Sequence, residues 1–410
     1  MVAEEQPLGV GIIGCGSVAL SMHLNGWTRF AEKAHIVALF DTVRERAERF
    51  ASYVEQAYGA RAYEYELRAA QREQRGHDTA AAERLRQRAA AARAAGKRPR
   101  IYTDVDALLR DEEVDVAAVC TPHHLHAPLS AQALEAGKHV FSEGPMAINV
   151  EQADRAIDAW RRSGKHYTAQ YYSRYFRGSR QAYRLARSGK LGQVLMGRGD
   201  AIWYANQAYY DNDPWRGTRA AGDRVFVHQG RYAMDLFLWV MEDTLEEVYA
   251  YAGTKTHQIE VEDNAAVQVR FASGAYGQLM LSHSALAPGQ RGAVERLEIL
   301  GERASLAGIV NYSTEECELT ISSPERGYAD ELRSLAAAEP PMPADGATTH
   351  YEAFFDAIRG GTPVLTTPES VREQVVLNRA IARSLAERQP VRLPFKPSDP
   401  FYGPVKGYDD

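Results

Sequence analysis

The chain has 410 residues, 45% hydrophobic and 25% charged, with a formal net charge of −6. That length exceeds what one compact domain usually holds and the composition is that of an ordered globular protein, so two domains are expected. The acidic balance gives no reason to expect nucleic acid as a partner, and Cys15, Cys120 and Cys317 show no CxxC or metal-ligand spacing, so neither a disulfide framework nor a metal site is expected.

Met1 to Glu5 is acidic and lacks an apolar signal core, and no apolar run is long enough to cross a bilayer, so the expectation is a soluble, cytoplasmic protein without membrane contact. Leu8 to Ile13 is a short apolar run ending at glycine, the pattern of a buried parallel strand. Helical spacing follows from Ser17 to about Phe30, then a strand from Ile36 to Phe40 ending at Asp41, then a helix from about Val43 to Tyr58. Between Tyr58 and Ile101 the chain is rich in Ala, Arg, Glu and Gln, strong helix formers, punctuated by Gly76, Gly96 and Pro99, so a helical hairpin is expected there. Interleaved glutamates make its arginines a solvated face rather than a nucleic-acid patch. Because it follows a helix that returns from the carboxyl edge of the sheet, it belongs away from the ligand, with subunit contact as the guess for its role. Val114 to Cys120 and Lys138 to Ser142 read as further buried strands, with a helix over Leu125 to Ala136 between them. Strands alternating with helices predict an α/β domain, a doubly wound, mostly parallel sheet with helices on both faces.

After about Gly164 the pattern changes to alternating runs, Val194 to Ile202, Glu247 to Tyr251, Ala265 to Phe271, Tyr276 to Ser282 and Glu295 to Leu300, separated by turns such as Ser273-Gly274 and Gly301. These predict an α+β domain with an open, mostly antiparallel sheet. The tract from Glu339 to Gly346 reads as a loop, and His350 to Ile358 and Pro368 to Glu387 as closing helices. The division expected is a Rossmann domain over 1–165 with an insertion at about 59–100, and a substrate and oligomerisation domain over 166–410 whose last helices pack back toward the first.

Gly14-Cys15-Gly16-Ser17-Val18-Ala19 matches G-x-G-x-x-A between a strand and a helix. Gly14 permits the tight turn, Gly16 lets backbone approach a pyrophosphate, and the helix start around Ser17 and Val18 faces the negative charge. Asp41, at the end of the second strand, is placed to accept hydrogen bonds from the adenosine ribose and to repel the extra phosphate of NADP, so NAD is favoured over NADP, with Arg44 near enough to weaken the preference.

The third strand runs into Cys120-Thr121-Pro122-His123-His124-Leu125-His126, and Ala136-Gly137-Lys138-His139-Val140-Phe141-Ser142-Glu143-Gly144-Pro145 follows. With the glycine motif, Ser188-Gly189-Lys190-Leu191-Gly192, Pro214-Trp215-Arg216, Glu262-Asp263-Asn264-Ala265 and Pro363-Val364, this resembles the glucose–fructose oxidoreductase, inositol dehydrogenase and MocA-type (Gfo/Idh/MocA) family over nearly the whole chain. The resemblance implies a two-domain oxidoreductase that binds NAD or NADP and is often oligomeric, here a dimer or tetramer. It implies that Thr121, Pro122 and His126 line the cofactor cleft near the nicotinamide half, that Glu143 touches the nicotinamide ribose, and that Trp215 and Arg216 approach nicotinamide and substrate. For His126 and Trp215, plain packing is an equal alternative.

Two positions depart from the family pattern. Its Glu-Lys-Pro is Glu143-Gly144-Pro145, without the lysine, and its Asp-x-Gly-x-His-x-x-Asp is His228-Gln229-Gly230-Arg231-Tyr232-Ala233-Met234-Asp235, without the first aspartate and the histidine. On a helix His228 and Tyr232 share one face, and Asp235 is close to it. His228 titrates near neutrality and is expected as base or relay; Tyr232, which needs a lowered pKa to act as a base, is expected to hydrogen-bond the reacting oxygen. Gly144 leaves room for a bulkier substrate or a side chain from elsewhere. Arg174, Tyr232 and Asp235 are the expected substrate contacts, and Trp203, Tyr204, Asn206, Gln207, Tyr209, Tyr210 and Asp211 would suit a polyhydroxylated ring. The expected activity is NAD-dependent oxidation of a secondary hydroxyl of a sugar, cyclitol or glycoside. Two other readings stay open: an NAD-dependent glycosidase working by transient oxidation and elimination, and a non-catalytic NAD and sugar sensor.

Overall fold

The computed structural model describes residues 6–74, 79–289, 292–311, 316–338 and 346–410. Met1 to Glu5, the Gly76 turn and nearly all of the 339–346 tract lie outside the described residues. Two sheets organise the chain. The first has six parallel strands in the order β3-β2-β1-β4-β5-β6, built from β1 (Leu8–Ile13), β2 (Ala34–Phe40), β3 (Arg100–Tyr102), β4 (Val116–Val119), β5 (His139–Ser142) and β6 (Tyr167–Ala169). This order reverses beside β1, and ligands settle outside the carboxyl ends of the strands at such a reversal. Val10, Ile12, Val116 and Ala118 are fully buried, as expected of strands covered on both faces.

The segment after the glycine turn is helical as expected, but it opens on a π turn, Ala19–His23, before the α-helix Leu24–Thr28. Five-residue spacing brings Leu24 N to Ala19 O and leaves His23 fully buried. The helix after β2 runs unbroken from Arg44 to Gln74, past the Tyr58 end expected for it, because one internal glycine, Gly59, costs only about 1 kcal/mol. A second helix, Thr79–Ala95, lies against it and completes the hairpin. Alanines fill the seam: Ala62, Ala69, Ala82, Ala89 and Ala92 are all buried. Its arginines pair with glutamates, Arg86 with Glu73 at 2.5 Å and Arg98 with Glu55 at 2.9 Å, the solvated face that the interleaved charges suggested. The hairpin leans on the end of the first helix, where Tyr65 Oη and Arg88 both donate to the Arg29 carbonyl.

The second sheet has eight strands in the order β13-β12-β11-β7-β10-β9-β8-β14: β7 (Val194–Ile202), β8 (Leu245–Gly253), β9 (Asn264–Phe271), β10 (Tyr276–Ser282), β11 (Val294–Gly301), β12 (Ser305–Asn311), β13 (Glu316–Ser322) and β14 (Val391–Arg392). Every pair is antiparallel except β7 with β10, which run parallel. Inward residues alternate along β9 and β10, and Val267, Val269, Phe271, Leu279 and Leu281 pack against Phe237 and Val240 of the helix Gly230–Met241. That helix covers the sheet on one face and carries the cleft residues at its start. The helix Gly346–Ile358 returns to the first sheet, where Tyr351 stacks on Phe141 at 4.7 Å and edges Trp27 at 4.9 Å. Among the described residues, no helix is long and apolar enough to cross a membrane.

Candidate active site

One cleft lies at the carboxyl ends of β1, β2, β4 and β5 and is closed from the other side by the segment 203–232. Of the residues singled out in the sequence, Gly14, Gly16, Ser17, Val18, Asp41, Thr121, Pro122, His126, Glu143, Trp215, Arg216, His228 and Tyr232 all line it. Among the described residues, none of the 59–100 insertion does.

The dinucleotide end follows from local geometry. Gly14 has φ of +95°, and a Cβ there would lie 2.7 Å from the Cys120 carbonyl oxygen, so turn and close approach both require glycine. At Gly16 a Cβ would meet nothing within 4 Å: the backbone faces open space at the start of a helix, as a pyrophosphate requires. Asp41 braces the turn, its Oδ2 accepting from Cys15 N at 2.8 Å and its Oδ1 from Val43 N at 2.8 Å. The arginine at this end is Arg46, which lines the cleft 3.5 Å from Asp213. Arg44, the neighbour weighed from the sequence, turns outward to Glu48 at 2.9 Å. Cys15 and Cys120 are packed thiols whose pKa burial pushes up. These features fit a bound dinucleotide.

Further in, the Glu143 carboxylate is buried. Burial pushes it up, but His23 Nε2 at 2.9 Å and Arg231 Nη2 at 3.8 Å more than offset that and hold it below the usual carboxylate range. His23 passes the contact to Tyr351, whose hydroxyl is 3.0 Å from His23 Nδ1. His126 spends both ring nitrogens on backbone, 2.8 Å from the Pro145 carbonyl and 2.7 Å from that of Thr121. It touches the cleft while clamping the two loops that frame it.

The position of the missing lysine is filled from another element. A Cβ on Gly144 would lie 2.6 Å from Arg231 Nε and 2.9 Å from the Gln170 carbonyl. The Arg231 guanidinium occupies the space beside Gly144, donating to Tyr232 Oη at 2.6 Å and to the His228 carbonyl at 2.5 Å. The chain thus keeps a buried cation beside Glu143 and takes it from the helix at 230–241 instead of the loop after β5. Burial pushes the Tyr232 hydroxyl well up, with the Arg231 charge opposing, so the phenol stays protonated and can donate. His228 precedes the helix rather than lying on it. Burial, with Arg231 and Arg216 adding to it, lowers its pKa well below the ordinary histidine value, so the ring is neutral. Its Nε2 is 3.2 Å from Tyr209 Oη, and Arg216 also donates to that hydroxyl.

Two expected substrate contacts are corrected. Arg174 and Asp235 line no part of the cleft. They bind each other bidentately, Nε to Oδ2 at 2.7 Å and Nη2 to Oδ1 at 2.5 Å, both nearly inaccessible, and Arg174 also donates to the Leu365 and Ser370 carbonyls. A cation satisfied in this way holds the helices together and has no donor left for a substrate. Of the expected aromatic group, Trp203 and Tyr209 face the cleft. Tyr204 is exposed, Tyr210 donates or accepts at His283 Nδ1 at 2.8 Å, Asn206 accepts from Tyr209 N, and Gln207 bonds Asp211. Sequence reasoning missed His23, which holds Glu143, and Tyr172 and Arg231, which line the cleft. The one available signal was that Arg231 stands next to the altered Tyr232.

Residues 58–171 match an oxidoreductase family with an NAD-binding Rossmann fold, and residues 179–307 match the GFO/IDH/MocA C-terminal domain. The myo-inositol 2-dehydrogenase of Thermotoga maritima is 25% identical over 298 residues, 71% of this chain and 84% of its own. The levoglucosan dehydrogenase of Pseudarthrobacter phenanthrenivorans is 26% identical over 334 residues, 71% and 83% of the two chains. The WlbA dehydrogenase of Chromobacterium violaceum, solved with NADH and UDP-GlcNAcA, superposes with a TM-score of 0.72 at 22% identity, covering 96% of this chain and 97% of that one. The chain belongs to the GFO/IDH/MocA family of oxidoreductases, with a nicotinamide dinucleotide as the cofactor of its Rossmann half.

Proposed function

We propose that this protein is an NAD-dependent dehydrogenase of a secondary hydroxyl in a sugar, cyclitol or glycoside. The observation that carries the reading is that one cleft joins the dinucleotide turn to a buried group of proton-handling side chains, Tyr209, His228, Arg231 and Tyr232. The names of the two relatives, dehydrogenases of a cyclitol and of an anhydrosugar, support the substrate class.

When bound, the nicotinamide supplies the hydride acceptor. The chain supplies position, polarity and proton transfer. Asp41 puts a carboxylate at the end of β2, where the ribose of NAD is welcome and the 2′-phosphate of NADP is not. Trp203 and Tyr209 offer aromatic faces to the C–H face of a polyhydroxylated ring. Tyr232, protonated and held by Arg231, donates to the substrate oxygen, and the guanidinium behind it favours negative charge developing there. The neutral His228 ring accepts the hydroxyl proton, with Tyr209 Oη at 3.2 Å as the relay.

A panel of cyclitols, hexoses and anhydrosugars offered with NAD or NADP, followed by absorbance of the reduced cofactor, tests the reading. Reduction of NAD by one of them is expected, with kcat/KM at least about tenfold lower for NADP. A protein that binds NADH tightly and turns over nothing in the panel counts against it.

A further inference from the structure

Three buried side chains from two segments far apart in the chain converge at the floor of the cleft. His123 comes from the turn after β4, and Asp223 and His228 from the segment before the helix Gly230–Met241. They are 4%, 1% and 8% exposed. One ligand atom from each lies within 4.8 Å of the other two. Asp223 Oδ1 is 2.9 Å from His228 Nδ1 and 3.7 Å from His123 Nδ1. None of these three atoms makes a hydrogen bond of sound geometry, and even at 2.9 Å the His228 ring does not aim its N–H at the carboxylate. The other Asp223 oxygen is committed, accepting from Gly217 N at 2.7 Å.

We propose that His123, Asp223 and His228 form a binding site for a divalent transition-metal ion of the zinc class. Two imidazoles and one carboxylate are the donors such an ion prefers. Bonds of about 2.0–2.1 Å in a tetrahedron set donors about 3.3 Å apart, and the measured 2.9 and 3.7 Å bracket that spacing. Burial points the same way. A buried carboxylate oxygen and two buried imidazole nitrogens meet without a hydrogen bond among them, and three orphaned polar atoms at one point are costly unless something binds them all. Arg216 and Arg231 stand nearby, but Arg216 is 3.5 Å from Asp213, which it shares with Arg46, and Arg231 is 3.8 Å from Glu143, so each cation already faces another carboxylate. Three protein ligands leave a tetrahedral ion one position open, and His123 and His228 both line the cleft. The sequence shows no metal-ligand spacing because the ligands are brought together only by the docking of the 203–232 segment onto the first sheet.

Metal binding does not depend on the redox reading. An ion on His228 and proton acceptance by the same ring are alternative states of the cleft, so the ion would block turnover rather than take part in it, and binding is read without turnover. The full-length protein, stripped with chelator and dialysed against zinc, is assayed by atomic emission, and the cobalt(II)-loaded protein by visible absorption. About one zinc per chain and an intense four-coordinate cobalt spectrum are expected. Asp223→Asn and His123→Ala, checked for folding by circular dichroism, should weaken zinc binding by roughly a hundredfold and abolish the spectrum. If either variant fails to fold, the wild-type cobalt spectrum still decides. Wild type holding no zinc, a weak six-coordinate cobalt spectrum, or folded variants that bind zinc as wild type does would each overturn the proposal.

Discussion

Gly14 and Gly16 are two residues apart in one motif, yet the structure gives them separable roles. Gly14→Ala puts a Cβ 2.7 Å from the Cys120 carbonyl oxygen and 2.9 Å from its carbon, both backbone atoms of the strand end, at a φ of +95°. The left-handed backbone costs an L-residue about 1–2 kcal/mol and overpacking about 1–3, so a loss of about 2–5 kcal/mol of stability is expected. Gly16→Val meets no atom within 4 Å of the new Cβ, so its stability should stay within about 1 kcal/mol of wild type. Its side chain instead fills the space where the backbone must approach a pyrophosphate. A loss of roughly a hundredfold in NADH affinity, about 2.8 kcal/mol, is expected. Urea titration followed by circular dichroism gives the stabilities, and NADH fluorescence gives the affinities. A Gly16→Val protein that binds NADH within twofold of wild type, or a Gly14→Ala protein as stable as wild type, refutes this account of the turn.

Replacing Arg231 by Met keeps the length but removes the cation beside Gly144; kcat should fall about a hundredfold with little change in NADH affinity, and an unchanged kcat would deny Arg231 its role as the lysine's substitute. Removing one partner of the buried Arg174–Asp235 pair should cost about 3–5 kcal/mol, whereas Arg174→Met combined with Asp235→Leu should recover most of it; chemical denaturation of the three variants shows whether the pair is structural. Burial pushes the Glu295 carboxyl from 4.5 up to about 8, with Ser173 opposing, so the folded chain holds that proton more tightly than the unfolded one. The associated stability is complete below about pH 4.5 and is lost as pH rises through about 8, some 5 kcal/mol in all. Glu295→Gln should therefore be progressively more stable than wild type as pH rises, and parallel stability profiles for the two proteins would contradict that.

The dinucleotide half was legible because its signals are local. A glycine turn, the strand before it, the helix after it and Asp41 at the next strand end follow one another in the chain, and the Rossmann connection permits one arrangement of them. The long strands β7 and β10 of the second sheet were equally plain, since alternation with one face buried marks both ends. The short strands β3, β6 and β14 were not, because two or three residues carry no period.

The other half of the cleft depended on which side chains meet across it. Arg174 and Asp235, a cation and an anion near the expected site, looked like substrate ligands; in three dimensions each satisfies the other. Arg231 carried only the weak signal of standing beside the altered Tyr232, because the space it fills lies at the loop after β5 and it arrives from a helix of the other domain. The sequence by itself determined the fold class and the glycine turn at the end of β1, where chain neighbours are also spatial neighbours. Only the tertiary structure decided which buried charges pair and which face the cleft, because a buried charge takes its meaning from partners that the sequence places far away.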